Sequence, residues 1–282
     1  MQVFHSISQT QEWCLEQKKA GKVVGLVPTM GSLHEGHLSL VREACRQCDA
    51  VVVSIFVNPT QFGVGEDFEQ YPRDLVRDRM LLETTRADLI FAPSIQEMYP
   101  AGYNMFVEPG GEISEKLCGA SRPGHFRGVA TVVSKLFNIC QPDKAFFGQK
   151  DAQQVMIIEK MVKELNFPIE IVRVPIVRED DGLAMSSRNV YLDEAQRREA
   201  LVLNKALEAA EQSVKKGERD VARVREILVK TIESSPQARI DYAEILSAED
   251  LSDLKEIKGR VLMAVAVKFG NTRLIDNRLV EV

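Results

Sequence analysis

The chain has 282 residues, enough for one large or two ordinary domains at roughly 150 residues each. Hydrophobic residues make up 45% and charged residues 27%, which excludes disordered, collagen-like and coiled-coil chains. The net charge of −5 argues against a general nucleic-acid binder, although a local basic site for phosphates stays open. The five cysteines, Cys14, Cys45, Cys48, Cys118 and Cys140, are too sparse and odd in number for a disulfide framework. Cys45 and Cys48 form a lone CxxC inside a helical pattern and read as two small helix residues. The N-terminus lacks the basic start and apolar core of a signal peptide. The longest clean apolar run, Val261 to Val267, is far too short to span a bilayer. A cytoplasmic protein that engages neither membrane nor nucleic acid is the expectation.

The first two-thirds of the chain alternates apolar runs with amphipathic stretches. Strands are predicted at Val23–Val27, Val51–Val57, Asp88–Ala92, Lys144–Phe147 and Ile169–Val174. Helical patterns lie near 9–19, 36–47, 73–85, 128–139 and 152–164. This alternation predicts βαβ units and a parallel sheet. The strands are apolar throughout, so helices should cover both faces. After Pro175 the pattern changes. A helix should begin near Asp193 with Gln196 completing a cap, and it carries Leu203, Leu207, Ala210 and Val214 at helical spacing. A second helix carries Val221, Val224, Ile227, Leu228 and Ile232. Strand-like runs follow at Ile240–Leu246, Val261–Val267 and, briefly, Arg273–Ile275. The expected fold is α/β: a Rossmann-like parallel sheet over residues 1–175, then a smaller α+β domain over 176–282.

Four segments carry chemistry. The stretch Val27-Pro28-Thr29-Met30-Gly31-Ser32-Leu33-His34-Glu35-Gly36-His37 follows the first predicted strand and opens a helix. Ligands of open α/β sheets bind at the carboxyl ends of strands, and a helix N-terminus there attracts anions. Gly31 and Gly36 permit close approach of the backbone, and His34 and His37 can share one side of a helical turn. Two of the four histidines of the chain fall here. Zinc binding by this pair lacks an obvious third ligand, so no metal site is assigned to side chains. The second segment is Met185-Ser186-Ser187-Arg188-Asn189, after Asp181-Gly182, where two hydroxyls and a guanidinium can hold phosphates. The third is Phe147-Gly148-Gln149-Lys150-Asp151-Ala152-Gln153-Gln154, again between a strand and a helix. Lys150 offers a point charge to phosphates; Asp151 can bond a ribose, meet Mg²⁺ through water or cap the helix. The fourth is Asn58-Pro59-Thr60-Gln61-Phe62-Gly63. Gln61 and Gln154 suit a substrate with hydroxyls and a carboxylate. The stretch Arg122–Gly128 reads equally as a gate, an anion-contacting loop or a solvent-exposed turn. The dinucleotide GxGxxG and the phosphate loop GxxxxGK[ST] are both absent.

The His34-Glu35-Gly36-His37 element resembles the first nucleotide-binding signature of the HIGH-type superfamily, which includes class I aminoacyl-tRNA synthetases and small-molecule nucleotidyltransferases. Together, VPTMGSLHEGH, NPTQF, RPGHFRGVATVV, FGQKDAQQ and DGLAMSSRNVYL closely resemble the pantothenate synthetase (pantoate–β-alanine ligase) family over nearly the whole chain. The resemblance implies a Rossmann-like N-terminal domain, a smaller C-terminal domain that covers the site, and a homodimer. It implies condensation of pantoate with β-alanine through a pantoyl adenylate, with ATP as substrate and Mg²⁺ accompanying it. By motif, Met30, Gly31, Ser32, Leu33, His34, Glu35, Gly36 and His37 would bind ATP, with His37, His34, Lys150 and Arg188 as catalytic groups. Gly148, Gln149, Lys150 and Asp151 would contact ATP, as would Val177 through its backbone. Met185, Ser186, Ser187 and Arg188 would line the phosphates. Gln61 and Gln154 would hold pantoate, with Gln61 also near β-alanine. One departure is Gln149, where a Glu is common in the family; it bears on a side-chain role, not on a backbone contact. The rival readings are another nucleotidyltransferase of the superfamily, which would leave NPTQF and FGQKDAQQ unexplained, and a nucleotide-sensing module without turnover.

Overall fold

A computed structural model describes residues 1–282. The chain forms two compact units, and the first consists of residues 1–110, 122–149 and 157–175. Its sheet contains β1 (Gln2–Phe4), β2 (Val24–Thr29), β3 (Ala50–Ile55), β4 (Leu89–Phe91), β5 (Lys144–Gly148) and β6 (Glu170–Val174). The spatial order is β1-β4-β3-β2-β5-β6. Every neighbouring pair is parallel. The helices between the strands are α1 (Ile7–Lys19), α2 (Glu35–Gln47), α3 (Leu75–Glu83), α4 (His125–Cys140) and α5 (Ala152–Glu164). One-turn helices at Ile95–Met98, Glu112–Glu115 and Cys118–Ser121 punctuate the longer connections.

The central strands are buried on both faces because they carry apolar residues at successive positions. Val27, Val51, Val53, Ile90 and Phe146 join a core with Leu38, Val41 and Ala44 of α2 and Leu82 of α3. Their alternates Leu26, Val52, Leu89, Phe91, Ala145 and Phe147 are also buried. Each large side chain among them contributes roughly 1.5–3 kcal/mol by leaving water. Cys48, expected to be a small helix residue, caps the C-terminus of α2. Burial pushes its thiol up to about 11, the reverse of an activated nucleophile.

β2 extends past the predicted Val27 to include Pro28 and Thr29. A proline inside a central strand loses a ladder donor. Here Pro28 aligns with Ser54 of β3, while the register with β5 runs only over Gly25 and Leu26. β1 has no counterpart in the sequence reading, since three residues are too few to show an alternation.

The second unit consists of residues 111–121, 150–156 and 176–282. It contains the antiparallel sheet β7 (Ala238–Ser247), β8 (Arg260–Phe269) and β9 (Thr272–Glu281), in that order. With it go α6 (Glu194–Glu199), α7 (Val202–Lys215) and α8 (Val221–Glu233). Leu203, Leu207, Ala210 and Val214 of α7 and Val224, Leu228 and Ile232 of α8 pack on Val261, Met263, Val265 and Val267 of β8. Two expectations are corrected here. The helix predicted from Asp193 is two helices, broken at Ala200–Leu201, although Asp193 and Gln196 do form the expected capping box. The short run at Arg273–Ile275 is a ten-residue strand. Its polar centre, Asp276 and Asn277, hides the pattern: both are buried, and both have partners inside the unit.

Candidate functional site

The parallel sheet determines where ligands can sit. From β2 the order runs through β3, β4 and β1 to one side and through β5 and β6 to the other. Adjacent strands whose connections diverge leave a crevice at their carboxyl ends. The segments after β2, β3 and β5 are three of those that sequence analysis singled out.

The turn after β2 is held from inside. Thr29 Oγ1 donates to Ser54 O at 2.7 Å, and Gly31 N donates to Thr29 Oγ1 at 3.2 Å. Gly31 and Ser32 both have positive φ, 82° and 49°. That places two consecutive amides, Ser32 N and Leu33 N, on the Asp78 carboxylate at 2.9 and 2.7 Å. A Cβ on Gly31 would come within 3.0 Å of Asp78 Oδ2. Arg77, the neighbour of Asp78 on α3, donates to Leu33 O at 3.1 Å. Asp78 is 1% exposed. Burial raises its pKa, and the two amide bonds oppose that only in part. The Leu33 side chain belongs to the core. Ser32 and Leu33 therefore commit their amides to Asp78.

His34 then caps α2. Its Nδ1 accepts from Gly36 N at 3.1 Å, while His37 Nδ1 accepts from His34 N at 3.4 Å. The two rings lie 4.1 Å apart between centroids. Capping by histidine and ligand binding are compatible here. An Nδ1 that accepts leaves a neutral imidazole with its proton on Nε2, so each ring presents a donor edge. Glu35 pairs with Arg42 on the surface of the helix.

The turn after β3 presents Gln61, which is 9% exposed. Its Oε1 accepts from Asn58 Nδ2 at 3.1 Å, and its Nε2 donates to Met30 Sδ at 3.0 Å. Two of the predicted segments thus meet side chain to side chain. Asn58, 1% exposed, is fully engaged: it also donates to Gly128 O and accepts from Tyr99 Oη at 2.8 Å. α4 passes so close that a Cβ on Gly128 would lie 2.3 Å from Thr60 O. Arg122 and His125 are engaged within the unit. Arg122 makes a bidentate pair with Glu66, at 2.7 and 2.6 Å, and His125 Nδ1 sits 2.8 Å from Gln61 O. Arg127 stacks on Phe106 instead, 3.8 Å from the ring centroid.

After β5, Gly148 ends the strand and Gln149 opens a short 3-10 turn. A Cβ on Gly148 would find only an ordinary 3.9 Å contact with Leu40. Packing within the unit does not demand glycine there.

The chain passes into the second unit between Gln149 and Lys150. There the Lys150 carbonyl accepts from Asn277 Nδ2 at 2.9 Å, and Lys150 Nζ lies 3.9 Å from Asp151. Of the two glutamines that follow, Gln153 is structural. It donates to Ile113 O and Lys116 O and accepts from Cys118 N. Gln154 is half-buried. Val177 O accepts from Met185 N at 3.0 Å, which closes a hairpin over residues 177–185. Arg178 braces that hairpin by bonding Gly182 O and pairing with the buried Asp276 at 2.6 and 2.9 Å. Ser186 Oγ accepts from Arg188 N at 3.2 Å and so caps the turn that carries Ser187 and Arg188. Asn189 holds the base of this turn through Glu179 Oε1 at 2.7 Å and Ala184 O at 3.1 Å. The hydroxyls and guanidinium predicted for phosphates thus sit on one braced loop.

A sequence model of the pantoate–β-alanine ligase family matches residues 2–279. The chain belongs to that family. Within it, the pantothenate synthetase of Syntrophomonas wolfei is 66% identical over 282 residues, all of both chains. The crystal structure of pantothenate synthetase from Thermus thermophilus superposes with a TM-score of 0.93 at 45% identity, covering 99% of each chain. The pantoate–β-alanine ligase of Francisella tularensis, crystallised with β-γ ATP and β-alanine, gives 0.82 at 35% identity, covering 99% of this chain and 97% of that one.

Sequence reading missed Asp78, Arg77, Asp276 and Asn277 in this ligase fold. None lies in a motif it singled out, and each bonds a residue far away along the chain. Asn58 and Gly128 lay inside the NPTQF and RPGHFRGVATVV stretches but were given no role of their own.

Proposed function

We propose that this chain condenses pantoate with β-alanine to pantothenate, using ATP and releasing pyrophosphate and AMP. The observation that carries the reading is the meeting of Met30 and Gln61 at the carboxyl edge of adjacent parallel strands, in a chain of this ligase family. A pantoate carboxylate oxygen attacks the α-phosphorus, the bond to pyrophosphate breaks, and pantoyl adenylate forms. The β-alanine amine then attacks the acyl carbon and AMP leaves. Both reactants of the first step are anions, so donors must offset their repulsion and the charge building on pyrophosphate. We assign this to the Nε2 edges of His34 and His37, to Lys150 and to Arg188. Met30, Gly31, Gly36, Gly148, Gln149, Asp151, Val177, Met185, Ser186 and Ser187 complete the nucleotide contacts. Ser32, Leu33 and Glu35 are assigned to the nucleotide through atoms other than the two amides that Asp78 occupies. Gln61 and Gln154 hold pantoate, with Gln61 also beside β-alanine.

No group of three or more His, Cys, Asp or Glu side chains could hold a metal ion. That donor set fits a Mg²⁺ delivered on the triphosphate, with Asp151 reaching it through water. The bound ion would neutralise phosphate charge. The proposal further includes a homodimer, a cytoplasmic location, residues 1–175 as the ATP- and pantoate-binding domain and residues 176–282 as the lid. No helix is long and apolar enough to cross a membrane.

The test is release of pyrophosphate and AMP from Mg-ATP with pantoate and β-alanine each added or omitted. AMP release that needs both acids, with pantothenate identified by mass, is the expected result. Pyrophosphate formed with neither acid, or a product that keeps the nucleotide, overturns it. Light scattering of the purified protein checks the dimer.

A further inference from the structure

The Gln61 turn is held by its own backbone carbonyl, and the residues that hold it form a chain. Glu66 pairs with Arg122 through Nε and Nη2. Their side chains are 24% and 15% exposed, so this pair is screened far less than a surface pair. Arg122 Nη1 lies 3.0 Å from His125 Nε2. A guanidinium can only donate, so Nε2 accepts and the ring proton sits on Nδ1. Nδ1 then donates to Gln61 O at 2.8 Å, and Arg122 Nη2 adds a second, longer donor to the same oxygen at 3.3 Å. The tautomer is forced from both sides, because each ring nitrogen faces a partner of fixed polarity.

We propose that Glu66, Arg122 and His125 form a positioning relay that fixes the Gln61 turn and thereby the affinity for pantoate, without touching the reacting atoms. The inference rests on the assignment of the Gln61 carboxamide to pantoate. Its physical basis is orientation. Gln61 Oε1 is already directed by Asn58 and its Nε2 by Met30, so the side chain is aligned only while the turn stays against α4. Gly128 lets α4 approach the turn; the relay keeps it there from the N-terminal end of the same helix. No relay residue belongs to the nucleotide set, so the effect of breaking it should fall on one substrate.

The experiment is steady-state kinetics of four variants, with pantoate and ATP varied separately. His125→Phe keeps a ring and removes both hydrogen bonds, so KM for pantoate should rise roughly tenfold, the scale of one or two hydrogen bonds. KM for ATP and kcat should stay within about twofold on the same reasoning. His125→Gln keeps a donor for Gln61 O and an acceptor for Arg122, and should restore most of the loss. Glu66→Gln, which keeps the shape and removes the charge, should give an intermediate rise. Gln61→Ala is the control. If it leaves KM for pantoate unchanged, the assignment of Gln61 falls. If Gln61→Ala raises it and His125→Phe does not, the relay falls alone. Equal rises for both substrates that His125→Gln does not restore also overturn the relay, because they describe general loosening. Should His125→Phe fail to fold, the Glu66→Gln and His125→Gln pair decides by the same comparison.

Discussion

The turns after β2 and β3 leave the same edge of the same sheet and are supported by opposite charges. The first turns two amides inward, and a buried anion, Asp78, receives them. The second turns a carbonyl outward from its strand, and cationic and imidazole donors, Arg122 and His125, receive that. The polarity of each support follows from the backbone conformation. Consecutive left-handed residues at Gly31 and Ser32 expose N–H groups, whereas the 3-10 turn at Pro59–Gln61 ends on an orphan carbonyl. Neither support needs the ligand. The turns are therefore ordered in advance, which lowers the entropic cost of binding and of reaching the transition state.

The comparison can be broken most forcefully at a ring we assign to the nucleotide. His37→Ala should lower the adenylation rate about 10²–10³-fold, the usual loss for one preorganised donor, with the fold intact by circular dichroism. Near-normal turnover would remove His37 from the reaction. A weaker effect is expected at the backbone contact behind the second turn. Gly128→Ala puts a methyl 2.3 Å from Thr60 O, and overpacking against backbone should cost about 3 kcal/mol in denaturant unfolding. KM for pantoate should rise more than KM for ATP. A variant as stable as the parent would mean that α4 does not brace the turn.

Asp78→Asn tests the first turn in the opposite direction. Its amide can accept from one of Ser32 N and Leu33 N but turns a donor on the other. A loss of about 2 kcal/mol is expected for the buried, unsatisfied N–H. KM for ATP should rise more than KM for pantoate. The reverse order would mean that the two turns are not separate supports.

The smallest effect is in titration. Burial raises the Asp78 pKa. Burial also pushes Glu66 up, but its hydrogen bonds and ion pair with Arg122 outweigh that and leave it below the usual range. The signs for stability are opposite. Glu66 contributes stability that is complete above its unfolded value and fades as pH falls through its lowered native one. Asp78 costs stability above its raised native value, and that cost disappears as pH falls through it. Carboxyl NMR should find Asp78 above the reference value of about 3.9 and Glu66 below about 4.3. Both shifted in the same direction would undo the contrast.

Much of this protein was legible in order along the chain. Unbroken apolar runs such as Val51–Val53 and Ala145–Phe147 announce a two-sided parallel sheet, because only strands buried on both faces lack alternation. His34, His37, Gln61 and Gly148 stand out because each lies in the turn between a strand and a helix, where open α/β sheets bind ligands. The family resemblance rests on the same residues. The supports were legible at most as residues, as Arg122 and His125 were, and not by what they hold. Asp78 sits in an amphipathic stretch where an aspartate looks like a solvated charge; only folding reveals that it is 1% exposed and faces a turn 45 residues earlier. Glu66 and Arg122 are 56 residues apart, and neither has local periodicity to mark it. Asp276 and Asn277 went further and concealed the strand that carries them. Local sequence determines which segments become strands, helices and turns, since those depend on neighbours within a few positions. Which polar group is buried opposite which orphaned backbone atom is decided by tertiary packing, because desolvation and hydrogen bonding act between residues that only the fold brings together.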